Sequence, residues 1–434
     1  MEEEYAKQYF HRIVERKLDG ITPGDLLNIV IVNSIINSFD NKSSLSTTVE
    51  LLAGGKFAPI DIGISPDIQI QERDQLTDLF LKIKAKFNTD RVMLFTYGHG
   101  SAFGIFETDL QKFLSFASLP ENFSVPLFNS SAFPQNIYGL KYEKMPDNLN
   151  SFEYRQGFVE IEYATNNLKS YEINNSIAQT VLPPGLLQDV VPLPNGLKFT
   201  PFKVISNEDI SSALQTAFSK VDFVVLCNCI MQNVYSQYCF KGITNYLVAP
   251  ETAITSPGFN IRRIIEFLND KPGEDNTVLS KEIISSFDNN NPEYFQYQSF
   301  IDLFVVVSLN LDNYDPILEQ IRQMKSFLFE KMDTLKSLRA DIHNALGNCF
   351  PYEFNTNTGH TFIDILQFLS TDNIIKYENL AVIKDQLDIL LNNNIHIFKG
   401  KKVFSQQGAS YAKQNIGGLS IYFPRNNKVK NHEI

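Results

Sequence analysis

Apolar and polar positions fall into two rhythms along this chain. Between 72 and 87, Leu76, Leu79, Phe80, Ile83 and Phe87 form one stripe at helical spacing, with Arg, Lys, Asp and Gln on the other side. The run Arg91–Thr96 that follows is a strand. Upstream, residues 2–18 carry Tyr5, Tyr9 and Ile13 on one helical face, and Pro23-Gly24 breaks that helix. Leu26–Val32 is nearly continuous and rich in β-branched residues, which suits a strand buried on both faces. Residues 43–53 read as a helix closed by Gly54-Gly55, and Ile60–Ile64 as a short strand. Strand, helix, strand with short joins is the grammar of a parallel α/β sheet.

That grammar stops between about 107 and 200. Pro120, Pro126, Pro134, Pro146, Pro183, Pro184, Pro192 and Pro194 punctuate the stretch, and a hairpin fits Phe158–Tyr163 with Lys169–Ile173. Such a segment within a domain reads as an insertion at the sheet's edge. The grammar resumes at Ser206-x-x-Asp209, a capping box ahead of the stripe Ile210, Leu214 and Phe218. The strand Phe223–Leu226, a helix near 230–240, the strand Asn245–Ala249, and helices through Ile261–Leu268 and Leu279–Ile284 follow. After about 290, Phe300–Leu309 is strand-like, and Asp315-Pro316 opens a periodicity from Ile317 to Ile342 that predicts one long helix or a pair. Phe362–Leu369, Asn379–Leu391 and a final strand Gly418–Phe423 complete the pattern.

A chain of 434 residues, 43% hydrophobic and 20% charged, has the composition of a soluble globular protein. The charge, 38 − 49 = −11, argues against nucleic acid as the main partner. Four cysteines are too few for a disulfide framework and point to a reducing compartment. Met-Glu-Glu-Glu-Tyr does not begin a secretory signal, and the apolar stretches fall short of the ~20 residues a membrane helix needs. The expectation is a cytoplasmic protein without membrane attachment.

Two strand ends carry the chemistry. Arg91–Thr96 runs into Gly98-His99-Gly100, and Phe223–Leu226 runs into Cys227-Asn228-Cys229. Ligands of open parallel sheets bind beyond the carboxyl ends of strands, so neighbouring strands would set His99 beside Cys229. An imidazole and the start of a helix at 230–240 both favour the reactive thiolate. The N–H groups of Gly100 and Cys229 could form an oxyanion hole. Plainer readings stand beside this one: a buried cysteine is usually a small hydrophobe, as for Cys239 and Cys349, and Gly-His-Gly is often only a turn. Cys227, Cys229 and Cys239 lack a second paired ligand set, so zinc, or any other metal, is not expected. Gly98-x-Gly100-x-x-x-Gly104 has neither dinucleotide nor P-loop spacing.

At this point the residues resemble a known family. Arg91–Gly104 resembles the strand-His-Gly segment of clostripain-like cysteine peptidases, relatives of the caspases, gingipains and legumains. Val221–Glu251 resembles their Asp-x-Cys-x-Met segment through Cys229, Met231 and Tyr246-Leu247-Val248-Ala249-x-Glu251. Pro257-Gly258, Asp302-Leu303, Ile363-Asp364-Ile365 with Phe368, and Gly418–Pro424 continue the order. The resemblance implies a caspase-like, mostly parallel α/β sheet flanked by helices, with a helix-rich C-terminal portion. It implies a catalytic part over 1–290, interrupted by 107–200, and a C-terminal α/β portion over 291–434 packed on the core.

It further implies a cysteine endopeptidase without cofactor, acting on polypeptides through an acyl-enzyme. Cys229 would be the nucleophile, His99 the catalytic histidine, and Gly100 with the Cys229 backbone the oxyanion donors. The family typically has Asp two residues before the nucleophile, in an acidic pocket for substrate Arg or Lys; here that position is Cys227, which leaves Glu251 as the candidate replacement. Relatives are often self-cleaved between the two catalytic residues, which makes Lys144, Arg155 and Lys169 candidate sites. Two alternatives stay open: a catalytically silent binding module, and a dormant protease released by a partner.

Overall fold

The structure, a computed structural model, describes residues 18, 21–24, 27–39, 42–70, 72–87, 89–97, 99–100, 104–106, 124–128, 137–141, 204–252, 259–286, 303–332, 334–335, 337–349, 360–401 and 416–424. The first half contains β1 (Val30–Phe39), β2 (Lys42–Ala53), β3 (Lys56–Pro59), α1 (Arg73–Phe87), β4 (Met93–Tyr97), β5 (His99–Gly100), β6 (Gly104–Phe106), β7 (Ser124–Phe128) and β8 (Ile137–Lys141). Next come β9 (Val204–Ser206), α2 (Asn207–Phe218), β10 (Val221–Cys227), α3 (Val234–Phe240), β11 (Thr244–Pro250), α4 (Ile261–Asp270) and α5 (Asn276–Ser285). The last stretch holds β12 (Leu303–Asn310), α6 (Tyr314–Lys331), α7 (Leu338–Asn348), β13 (His360–Asp364), α8 (Ile365–Leu369), α9 (Asp372–Ile375), α10 (Glu378–Asn394), β14 (Ile395–Lys401) and β15 (Ser420–Pro424).

The apolar run around Val224 becomes the middle of the molecule because every side chain from Phe223 to Leu226 can be buried, on both faces of a strand. Each is fully inaccessible, worth roughly 1.5–3 kcal/mol apiece. Phe223, Val225 and Cys227 face α4 and α5, packing with Ile264, Leu279 and Ile283. Val224 and Leu226 face the main core shared with α1, α2, α6 and α10. The central sheet has five strands in the order β14-β12-β11-β10-β4. The pairings β4–β10 and β10–β11 are parallel; β11–β12 and β12–β14 are antiparallel. The fold is thus α/β, with a mixed, partly parallel sheet among helices. β12 and β14, from beyond residue 290, complete the sheet that β4, β10 and β11 begin.

Smaller sheets surround this one. β1, β2 and β3 form an antiparallel meander whose Leu52 packs on Ile261 and Ile265 of α4. β13 and β15 pair antiparallel, and β5, β6 and β9 form a third small sheet. Within it Phe106 pairs with Val204 and Gly104 with Ser206. The chain therefore leaves and re-enters the fold on adjacent strands around the proline-punctuated stretch, in which β7 and β8 form a hairpin. The hairpin expected at 158–173 lies outside the described residues, as do most of the expected 2–18 helix and the cut sites Lys144, Arg155 and Lys169.

Three elements differ from expectation. Residues 43–53 are a strand, not a helix. The β-branched Thr47, Thr48 and Val49 lie at the middle of the run, and β2 pairs with β1 over ten residues, with Thr47 and Val49 buried. The strand expected at Ile60–Ile64 ends earlier, at Pro59. β14, which follows α10 directly, was not anticipated, since the expected run over Asn379–Leu391 stopped short of it. The capping box forms as expected: Ser206 Oγ accepts the Asp209 N–H at 3.0 Å. The long C-terminal periodicity is a helix pair, α6 and α7.

Candidate functional site at the carboxyl ends of β4 and β10

β4 and β10 lie side by side in parallel, with Tyr97 in register with Cys227. His99 and Cys229 each follow that rung by two residues, on strands that pairing holds roughly 4.8 Å apart. Beyond the rung Thr96 Oγ1 donates to Asn228 Oδ1 at 2.5 Å, which stitches the two ends together. The backbone of His99 and Gly100 then turns into β5, pairing with Phe106 and Ile105. The position of the His99 imidazole lies outside the described part of the structure.

Cys229 is half-buried where two apolar clusters meet. One holds Cys227, Phe95 and Tyr97; the other Ile230, Val305, Val307 and Phe362. Cys227 is 4% exposed and lies inside the first cluster. Its thiol gives the strand end an uncharged, apolar wall where a carboxylate would need a partner.

The next residue is the least expected. Ile230 has φ +59°, and the other non-glycine with positive φ among the described residues is Ser219, at a helix end. A β-branched residue in that region is strained by roughly 1–3 kcal/mol. The surroundings over-determine it. The Ile230 N–H donates to the Thr252 carbonyl at 3.0 Å, Asn233 Nδ2 donates to the Ile230 carbonyl at 3.1 Å, and the side chain is 5% exposed. The turn that presents Cys229 is thereby fixed.

The helix expected near 230–240 begins later than residue 230. α3 starts at Val234, capped by Asn233 Oδ1, which accepts the Ser236 N–H at 2.9 Å. Four residues therefore separate Cys229 from the first residue of the helix. Below the turn lies a buried polar layer. Asn228, Gln232, Ser236, Gln237 and Glu251 are fully inaccessible, and Asn233 nearly so. Gln232 N–H donates to the Pro250 carbonyl at 2.9 Å, and Gln237 Nε2 to Gln232 Oε1 at 2.7 Å.

Glu251 follows β11 and is fully buried, its N–H donating to the Val305 carbonyl at 2.8 Å. Asp364 is equally buried. Its Oδ2 accepts the N–H groups of Gly417, Gly418 and Leu419 at 2.9, 2.7 and 3.4 Å, and its Oδ1 that of Gln367 at 2.8 Å. Burial pushes the Asp364 carboxyl above its ordinary range, against the pull of these donors. Gly418 sits at φ +82°, where a Cβ would also meet Val307 at 2.7 Å; at Gly417 a Cβ would meet Leu366 at 2.6 Å. Glycine is needed at both for the backbone to reach the carboxylate. Ser420, just beyond, donates its N–H and Oγ to the Gln232 carbonyl at 3.2 and 2.9 Å.

The other cysteines differ in setting. Cys239, on α3, has its thiol pushed up to about 12, first by burial and then by nearby Glu208, against a hydrogen bond from Tyr235. Such a thiol is inert at neutral pH. Cys349 is buried in the main core. All four cysteines are thiols, with no disulfide among them. Among the described residues no cluster of three or more His, Cys, Asp or Glu is arranged to hold a metal, and no helix is long and apolar enough to cross a membrane.

Sequence reasoning found the rung and missed its supports. Asn228, Ile230 and Gln232 have no role in it, and Asp364 and Ser420 enter only as letters of the family pattern. The usable signal was the three amides Asn228, Gln232 and Asn233 close behind an apolar strand, since polar residues so close to a buried strand end need internal partners.

No curated protein matches the chain. Among solved structures, an inactive zymogen C11 protease from Parabacteroides distasonis is 14% identical with a TM-score of 0.48, the match covering 98% of this chain and 88% of that one. A secreted C11 cysteine protease from Bacteroides thetaiotaomicron, iotapain, is 12% identical with a TM-score of 0.49, covering 98% of this chain and 92% of that one. The family model of the Clostripain family, peptidase C11, matches residues 199–432, which is more than half of the chain and includes β10, Cys229 and the whole Asp364 layer. The chain belongs to the Clostripain family.

Proposed function

We propose that this protein is a cysteine endopeptidase that cleaves polypeptides through an acyl-enzyme, with Cys229 as nucleophile and His99 as proton carrier. The observation that carries the reading is the shared register: both residues follow the Tyr97–Cys227 rung by two positions on adjacent parallel strands. Family membership and the strained, pinned turn at Ile230 support it.

In this reading Cys229 Sγ attacks the scissile carbonyl carbon, and the carbonyl oxygen takes the negative charge between the N–H groups of Cys229 and Gly100. The C–N bond then breaks, and His99 delivers a proton to the departing amine. Water adds to the thioester carbon while His99 accepts its proton, and cleavage of the C–S bond releases the acid and restores the thiolate. The apolar wall at Cys227 favours an uncharged substrate side chain beside the nucleophile, since a buried cation there would lack a counter-charge. Four thiols without a disulfide among them support a reducing, cytoplasmic setting.

A peptide-library cleavage profile with Cys229→Ala as control tests this. Cleavage lost in Cys229→Ala, with a preference for uncharged residues before the scissile bond, is the expected result. A dominant Arg or Lys preference contradicts the reading of Cys227. A folded wild-type protein that cleaves nothing is a silent module. Activity that appears only after cleavage at Lys144, Arg155 or Lys169 identifies a dormant protease.

A further inference from the structure

We infer that Thr96 is a positioning residue for the site: its hydroxyl, held by Asn228, ties the Cys229 turn to the strand that carries His99. The consequence for turnover rests on the peptidase reading. The β4–β10 ladder ends at the Tyr97–Cys227 rung. Beyond it the two chains take different partners. On the β4 side His99 and Gly100 pair with Phe106 and Ile105 in the small sheet. On the β10 side the turn is held by the Thr252 and Pro250 carbonyls, which accept the N–H groups of Ile230 and Gln232, and by Ser420, which donates to the Gln232 carbonyl. Each half of the proposed dyad is thus fixed to its own surroundings. The Thr96–Asn228 bond crosses from one to the other where they part. Asn228 is the residue before Cys229, and Thr96 stands three before His99.

The face of the sheet on which this bond lies decides what it can do. Side chains alternate along both strands. Phe95, Tyr97, Cys227 and Cys229 belong to one apolar cluster, and Leu94, Val224 and Leu226 to the other. Thr96 is in register with Leu226 and meets Asn228 on that second face. The bond is therefore on the opposite side from the thiol. It touches neither substrate nor reacting atoms and acts on where Cys229 stands. Asn228 is fully buried, and its Oδ1 accepts the Thr96 hydroxyl at 2.5 Å, at the short end for an O–H donor. A purely structural bond would satisfy the buried amide and no more. A positioning bond also changes the chemistry of the thiol, because a misplacement of about 1 Å between reacting groups can cost roughly 100-fold in rate.

The test uses the full chain, with iodoacetamide as probe and the Cys229 peptide read by mass spectrometry across roughly pH 5 to 9. The wild type should react with an apparent thiol pKa well below the ordinary value of about 8.5, because a neighbouring imidazolium favours the thiolate. Thr96→Val keeps the shape of the side chain and loses the hydroxyl. It should move the apparent pKa back toward the ordinary value and slow alkylation at neutral pH roughly tenfold or more. Thr96→Ser, which keeps the donor, should recover most of the wild-type profile. In peptide hydrolysis by Thr96→Val, kcat should fall with the alkylation rate while KM stays within about twofold. Should Thr96→Val fail to fold by circular dichroism, Thr96→Ala carries the same comparison. A Thr96→Val profile identical to that of the wild type overturns the inference. So does a Thr96→Ser protein displaced as far as Thr96→Val, since methyl packing and not the hydroxyl would then set the geometry. His99→Ala separates this from the peptidase reading. If His99→Ala shifts the profile and Thr96→Val does not, the dyad stands and the role of Thr96 falls. If Thr96→Val shifts it and His99→Ala does not, the dyad falls and Thr96 still positions Cys229.

Discussion

The β4–β10 strand pair has a polar network at each end, and the two are built differently. At the amino end Asp222 accepts the Val92 N–H at 3.0 Å and Asn276 Nδ2 at 2.9 Å, with the Arg91 guanidinium 3.9 Å away. Arg91 in turn reaches the Pro272 carbonyl and Asn276. These groups are partly exposed, of opposite character, and strain nothing. At the carboxyl end polar side chains, the acids Glu251 and Asp364 among them, are fully buried, and a β-branched residue is held at positive φ. Solvated pairs of the first kind contribute about 0–1 kcal/mol each. Features of the second kind cost stability, and a fold keeps them where geometry must be held for chemistry. The contrast, more than any one residue, supports the carboxyl end as the proposed site.

The largest effect that would test this contrast is at Cys229. Replacing it by Ala should lower peptide hydrolysis by roughly 10⁴-fold or more without altering the circular dichroism spectrum. Asp222→Asn, on the same strand, should leave kcat unchanged. A comparable loss at Asp222 would erase the distinction between the two ends.

Ile230 sharpens it next. Ile230→Ala keeps the strain and loses the packing, at about 2–5 kcal/mol in urea denaturation. Ile230→Gly loses the same packing but relieves the backbone, so it should be the more stable of the two by about 1 kcal/mol. Equal stabilities would mean that the turn stores no strain.

pH separates two aspartates in a similar way. Asp364 is raised by burial, so its contribution to stability is full below the ordinary Asp value of about 3.9 and is lost as pH rises through the elevated value. Asp341 is lowered by hydrogen bonds from Lys376 and Tyr377, so its contribution is present above the ordinary value and lost as pH falls through the lowered one. Melting temperature should therefore decline toward alkaline pH in the wild type and decline less in Asp364→Asn. Asp341→Asn should flatten the acid side alone. The smallest expected effect is the stability cost of Asp222→Asn, about 1 kcal/mol, read from the shift in denaturation midpoint.

How much of this was legible in the chain follows from what each element depends on. The strand Phe223–Leu226 and the stripe of α1 were readable because burial imposes an unbroken run on one and a 3.6-residue period on the other. The pairing of β4 with β10 was legible as two apolar runs ending in chemistry, and the register supplies the rung. β2 was misread because its Ser-Thr-Val run has no strong period of its own and becomes a strand by pairing with β1. The late start of α3 turns on Asn233 acting as cap, a choice made by the buried layer around it. Asp364 was visible only as one letter of a family pattern. Its role depends on Gly417 and Gly418, more than fifty residues away in sequence. Local pattern reports periodicity; it does not report which distant polar groups share one buried layer.

The most direct measurement is the site of covalent capture by a thiol-reactive peptidyl probe, mapped by mass spectrometry on the folded chain. The account predicts a single adduct on Cys229, strongly slowed in His99→Ala, with Cys239 unmodified because burial holds its thiol near pKa 12. An adduct on Cys227, Cys239 or Cys349, or labelling that persists in Cys229→Ala, would contradict it.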